Sequence, residues 1–204
     1  LSISQVSVIN NESIYVTDEV FYIKAKLELR DINSIMYLRN DAQLLQGPGN
    51  TGNSGIGQLS VYQEGTSNNY SYNYWCSPVG NVAANTIGNR TFIPNHNIYD
   101  AIDNINSNLA GYSTTNLNGT SNPLNIEQSW LYSFDPGIDY NDWDFVGQSG
   151  YVNTGYGFTM KGVIGGTVVS GQLYDFRGKP NEGEIYVAVE ANKETLIGNP
   201  YPSA

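Results

Sequence analysis

Between Asp135 and Asp144 the chain reads Asp-Pro-Gly-Ile-Asp-Tyr-Asn-Asp-Trp-Asp, a stretch dense in hard oxygen donors. Hard cations want several oxygens converging from one loop, and Asp or Asn at alternate positions can supply them. Asp139, Asn141, Asp142 and Asp144 are therefore the candidate ligands for calcium, the one cofactor the sequence could hold. The pattern departs from an EF-hand loop, because Trp143 stands where a third oxygen ligand belongs and no Gly follows it. Solvated acidic turn residues are the competing reading.

A second group has binding rather than metal chemistry. Tyr70, Tyr72 and Tyr74 alternate, so on a strand they share one face, and Trp143 adds an indole. Such a row could stack on sugar rings, or could simply cover a sheet.

Catalytic groups are scarce. His96 is the single histidine and Cys76 the single cysteine. A zinc site lacks a second ligand of either kind. No Gly-x-Ser-x-Gly elbow presents a nucleophile. Cys76 has no basic cluster or helix start beside it to lower its pKa, so it reads as a small buried hydrophobe. Two carboxylates would suffice for a glycosidase, yet nothing in the spacing of Glu64, Glu127, Asp142 and Asp144 selects a pair. The sequence predicts no enzyme.

The elements that must carry these residues are strands. Across 204 residues there are 16 Tyr and 22 Gly but only six Phe and two Met, a balance that suits pleated surfaces and turns. Lys24-Ala-Lys-Leu-Glu-Leu-Arg30 alternates cleanly. Short strands at regular spacing over 1–46 suit stacked β-rungs or a small meander. Residues 47–57 form a Gly/Asn-rich loop, read as a flexible boundary. Residues 58–204 read as a β-sandwich or jelly-roll-like domain, with an irregular Asn-rich excursion at 80–128. Within it, 58–76 and 172–190 are predicted hairpins, and 99–106 has helical spacing for about two turns. The fold class predicted is all-β.

The formal charge of −10 disfavours nucleic acid and anionic membranes, both of which need a basic footprint. No apolar run approaches the ~18 residues of a membrane span. The chain starts at Leu1 rather than Met, which suggests that an upstream segment, such as a signal peptide, has been removed.

Several phrases carry a family resemblance. They are Met36-Tyr-Leu-Arg-Asn-Asp-Ala-Gln-Leu-Leu-Gln46, Leu59-Ser-Val-Tyr-Gln-Glu-Gly65 and Tyr72-Asn-Tyr-Trp-Cys-Ser-Pro-Val-Gly80. Gly157-Phe-Thr-Met-Lys-Gly162, Tyr174-Asp-Phe-Arg-Gly-Lys-Pro-Asn181 and Gly198-Asn-Pro-Tyr-Pro-Ser-Ala204 complete the set. Together they resemble the N-terminal region of large surface proteins of flavobacteria and other Bacteroidetes that are exported by the type IX secretion system. The resemblance implies an extracellular or cell-surface location, a longer polypeptide, and no catalytic residues. The function expected is a non-catalytic structural or adhesin-type surface module that assembles with copies of itself or other surface proteins. The alternative is a carbohydrate-binding module using the exposed aromatics, with or without calcium, and glycans as partners.

Overall fold

The computed structural model describes residues 2–48, 52–82, 87–114, 118–165 and 171–203. The chain opens as a three-sided coil. Its first turn is β1 (Ser2–Ile3), β2 (Val6–Val8) and β3 (Ser13–Thr17), and its second β4 (Val20–Ile23), β5 (Leu27–Leu29) and β6 (Ile35–Arg39). The third is β7 (Gln43–Gln46), β8 (Ser54–Gly55) and β9 (Gln58–Gly65). Corresponding strands stack in parallel: β1-β4-β7, β2-β5-β8 and β3-β6-β9. These pairings are those of rungs rather than of a meander.

Register explains why the sequence winds this way. Ile14, Met36 and Leu59 fall on one another, as do Val16, Leu38 and Val61. Ile23, Leu27, Leu29, Met36, Leu38, Leu44 and Leu59 are nearly or fully buried between the three faces. Corners need left-handed backbone, which Asn and Asp tolerate better than other side chains. Asn10, Asn11, Asp18 and Asn40 supply it. Asp18 and Asn40 occupy equivalent corners, and Asn40 donates to the Asp18 carboxylate at 3.1 Å. With Thr17, that bond holds the Asp18 carboxyl below its usual range.

The Gly/Asn stretch is not a boundary. Its described residues lie inside the third turn, while 49–51 are outside the described set. A Cβ on Gly55 would sit 1.8 Å from the Leu29 carbonyl oxygen, and its φ is +101°. Asn53, fully buried, accepts from the Leu27 amide and exchanges bonds with Gln46. Glycine and asparagine here allow close approach and bonding between turns rather than flexibility.

Later elements build on the coil. They are β10 (Tyr72–Cys76), β11 (Val79–Gly80), one helical turn α1 (Pro94–Asn97), β12 (Ile98–Ala101) and β13 (Ser107–Leu109). Then come β14 (Gly111–Ser113), β15 (Gly119–Ser121), β16 (Leu124–Glu127), β17 (Tyr132–Phe134) and β18 (Trp143–Phe145). β19 (Gly157–Lys161), β20 (Val163–Ile164) and β21 (Gln172–Pro180) complete the set. The third face of the coil extends into a seven-stranded sheet, β13-β12-β21-β9-β6-β3, with β11 also on β21. A four-stranded antiparallel sheet, β10-β19-β17-β18, packs against it, and a third sheet runs β14-β16-β15-β20. Phe92 stacks on Phe158 at 4.9 Å and on Phe176 at 5.8 Å, while Trp75 lies 5.6 Å from Phe176. That aromatic layer joins the two larger sheets as a sandwich-like core.

Three further sequence expectations are corrected. The 58–76 hairpin does not form, because β9 pairs with β6 and β21 whereas β10 crosses to the other sheet and pairs with β19. The 172–190 hairpin fails as well. β21 ends at Pro180, and the next residues are drawn inward: Asn181 donates to the Ser77 and Pro200 carbonyls, and Glu182 accepts from the Asn53 amide. The two turns of helix at 99–106 are instead the hairpin β12–β13. Asp103 takes the amides of Ile105 and Asn106 on its own carboxylate, a side-chain bond that competes with helix. Strand pairing also orders much of the 80–128 excursion.

A buried polar network fastens coil and sandwich. Asp175 on β21 accepts from Ser60 (2.6 Å), Ser107 (2.6 Å) and Arg177 (2.5 Å). Arg39 on β6 donates to the Ser60 hydroxyl at 2.9 Å and to the Asn104 carbonyl at 2.7 Å. Removing a buried carboxylate strands its cations, which costs about 3–5 kcal/mol. Asp175→Ala is therefore expected to lose about that much in urea unfolding, whereas Ser7→Ala at an exposed bond should change little. A loss below about 1 kcal/mol for Asp175→Ala would show that the network fastens nothing.

Candidate functional site: an aromatic sheet face

In β10-β19-β17-β18, Tyr72 lies opposite Lys161, Tyr74 opposite Thr159, and Thr159 opposite Tyr132. Tyr132 is opposite Phe145, and Phe134 opposite Trp143. Directly opposed residues share a face. All these rings therefore lie on one side of the sheet, and Trp75, Phe158 and Met160 fill the core on the other.

The rings touch one another. Tyr132 meets Phe145 edge-on at 5.4 Å, Phe134 and Trp143 approach to 4.8 Å, and Tyr72 meets Trp130 at 6.2 Å. Lys161 Nζ sits 4.9 Å above the Trp130 ring. Burial among these groups, and then the nearby Tyr140, Tyr132 and Tyr74, push the Tyr72 hydroxyl pKa up. Tyr74 nevertheless stays 64% exposed, Phe145 59% and Tyr140 86%. So much contiguous aromatic surface in water is uncommon unless something docks on it.

The face leads into an open pocket of about 470 Å³ lined by Tyr74, Tyr140 and Trp143, with Phe134, Asp139 and Glu194. A rigid turn presents Tyr140. Asp139 accepts from the Asn141 amide at 2.8 Å, and Asp142 accepts from the Asp139 and Ile138 amides at 3.1 and 2.7 Å, a reciprocal capping box. Those two amides hold the Asp142 carboxyl below its usual range. A Cβ on Gly137 would come within 2.5 Å of the Phe134 ring, so glycine lets this turn close over it. Paired backbone bonds between Gly137 and Glu194, at 2.9 and 2.7 Å, tie the turn to the C-terminal segment.

Of the aromatics expected at a binding surface, Tyr72, Tyr74 and Trp143 come together here. Tyr70 does not join the strand; it lies in the preceding turn, with its amide on the Asn68 side chain. Tyr132, Tyr140, Phe145, Trp130, Lys161 and Glu194 belong to the same surface without having been picked out. The alternation Trp130-Leu-Tyr-Ser-Phe134 and the pair Trp143 and Phe145 carried the signal for most of them.

The calcium candidates divide. Asp139 and Asp142 are occupied with their own turn, and Asn141 lies between them. Asp144 opposes Ser133, on the other side of the sheet from Trp143. Asp144 and Glu190 add to burial in raising the Asp135 carboxyl. Among the described residues no three His, Cys, Asp or Glu side chains cluster to hold a metal.

The catalytic inventory is similarly scattered. His96 is exposed on α1, and among the described residues its ring makes no hydrogen bond. Glu64 is exposed on β9, whereas Glu127 is buried and accepts from Ser129 at 2.7 Å. Cys76 is half-buried beside Gly198, and burial pushes its thiol up to about 11. Compared with protein-family models, curated proteins and solved structures, the chain matches none.

Two outcomes follow from this geometry. A cation would have to compete with backbone amides for Asp139 and Asp142, so calcium or chelator is expected to leave the thermal unfolding midpoint unchanged. A saturable calcium-dependent rise would contradict that. A thiol titrating near 11 is roughly a thousandth ionised at pH 8, so native Cys76 should alkylate very slowly there and faster as pH climbs toward 11. Rapid labelling at neutral pH would show an activated thiol instead.

Proposed function

We propose that this chain is a non-catalytic, extracellular adhesin-type module whose outward aromatic sheet face binds carbohydrate. The observation that carries the reading is the run of rings from the exposed Tyr72, Tyr74 and Tyr140 to the half-buried Trp143, ending in a pocket that also holds two carboxylates. Sugar rings offer apolar C–H faces to stack on aromatics, and hydroxyls to donate to a carboxylate such as Glu194. Rigid aromatics on a sheet lose little entropy when they bind. The surface location and the wider role as part of a cell-surface assembly rest on composition and on the resemblance to Bacteroidetes surface proteins.

A glycan array probed with the full chain tests this reading. Binding to at least one glycan class is expected. Tyr74→Ala and Trp143→Ala should each weaken it about tenfold, and Tyr15→Ala, exposed on the coil, should leave it unchanged. Silence on every glycan, or binding indifferent to both ring deletions, would refute it.

A further inference from the structure

Beyond Pro180 the chain does not return to the sheet. Glu184-Ile-Tyr-Val-Ala-Val-Glu190 is rich in β-branched residues and contains no proline, the composition of a strand. Its burial alternates as far as Ala188: Ile185 and Val187 are half-buried, whereas Glu184, Tyr186 and Ala188 are exposed, as is Val189 beyond them. That alternation marks extended backbone. Yet among the described residues no backbone N–H or C=O from Glu184 to Val189 makes a hydrogen bond.

The segment is nevertheless held in place. Ile185 and Val187 lie against Gly155, where a Cβ would come within 3.0 and 2.7 Å of their methyl groups. Tyr201 donates to the Gly183 carbonyl at 2.6 Å, and Lys193 bonds the Glu190 carbonyl and carboxylate at 3.3 and 2.7 Å. An anchored extended segment with open polar groups is a prepared sheet edge. It binds with little ordering cost.

Charge selects the occupant. Glu184 and Glu190 bracket the segment, Asp135 and Glu194 add to the acidity, and Lys193 is the nearby counter-charge. A second copy paired antiparallel about Val187 would set Glu184 against Glu190 twice, and parallel in-register pairing would set each Glu against itself. Like charges directly opposed are destabilising. We propose that residues 184–190 accept a β-strand from a different protein, an extended segment of alternating apolar residues with Lys or Arg at each end. Main-chain bonds would supply affinity, and the flanking glutamates would supply selectivity.

The test titrates the full chain with a seven-residue peptide of alternating valine and threonine carrying arginine at each end, read by fluorescence polarisation. A matched peptide with glutamate ends is run in parallel. Ala188→Pro and Val189→Pro each delete one N–H on opposite edges of the segment, and neither N–H is bonded in the chain. Saturable binding of the arginine peptide is expected, weakened about tenfold by one or both prolines, with unfolding midpoints unchanged. No saturable binding, equal binding of the glutamate peptide, or indifference to both prolines would overturn the proposal. Dimerisation of the chain that a proline abolishes would also overturn it, in favour of a second copy.

Discussion

Asp175 lies out of contact with water on β21, the strand that pairs the sandwich to β9, the last strand of the coil. Its two carboxylate oxygens take Ser60, Ser107 and Arg177, and through Ser60 it reaches Arg39. Two buried guanidiniums face one carboxylate, so the remaining charge must be met otherwise. Carbonyls of Leu38, Ser60, Asn104 and Ile105 accept from them, and the Tyr62 ring lies 3.6 Å from Arg39. Burial lowers the Arg39 pKa and Asp175 opposes that shift. A partly satisfied network of this kind would be costlier than an apolar core. The β6, β9, β21 and β13 geometry must therefore hold together.

From that constraint the position of the aromatic face follows. The pairing of β9 with β21 sets Tyr174 and Phe176 on the inner side, where Trp75 meets both and Phe92 stacks on Phe176. Once Trp75 is turned inward, its neighbours Tyr74 and Cys76 must point the other way on the pleat. Tyr72, two residues earlier, follows Tyr74. The exposed surface is thus the obligatory reverse of a well-packed core, and the capped turn at 139–142 adds Tyr140 at its edge.

Strand content and three of the outward rings were legible in the sequence, since period-2 alternation reports which residues share a face, whereas the first region read equally as rungs or a meander. It did not report partners. Residues 58–76 and 172–190 read as hairpins because both halves alternate, but β9 is paired on both edges by β6 and β21, and Pro180 with the buried side chains of Asn181 and Glu182 ends the second pairing. Asp103 looked like part of a helix and instead closed a turn with its carboxylate. The acidic loop read as a cation site because spacing alone cannot tell a ligand from a cap; Asp139 and Asp142 are caps. The phrase Tyr174-Asp-Phe-Arg-Gly-Lys-Pro-Asn181, quoted above for its resemblance, is buried almost throughout and acts as the joint between coil and sandwich.

Aromatic-detected NMR of the full chain during titration with a glycan it retains bears most directly on contact through this face. The rings of Tyr74, Tyr140 and Trp143 are expected to shift together and saturate at one affinity, with Tyr15 on the coil and Tyr186 in the open segment unmoved. Saturable shifts confined to residues elsewhere, with those three rings still, would contradict the account.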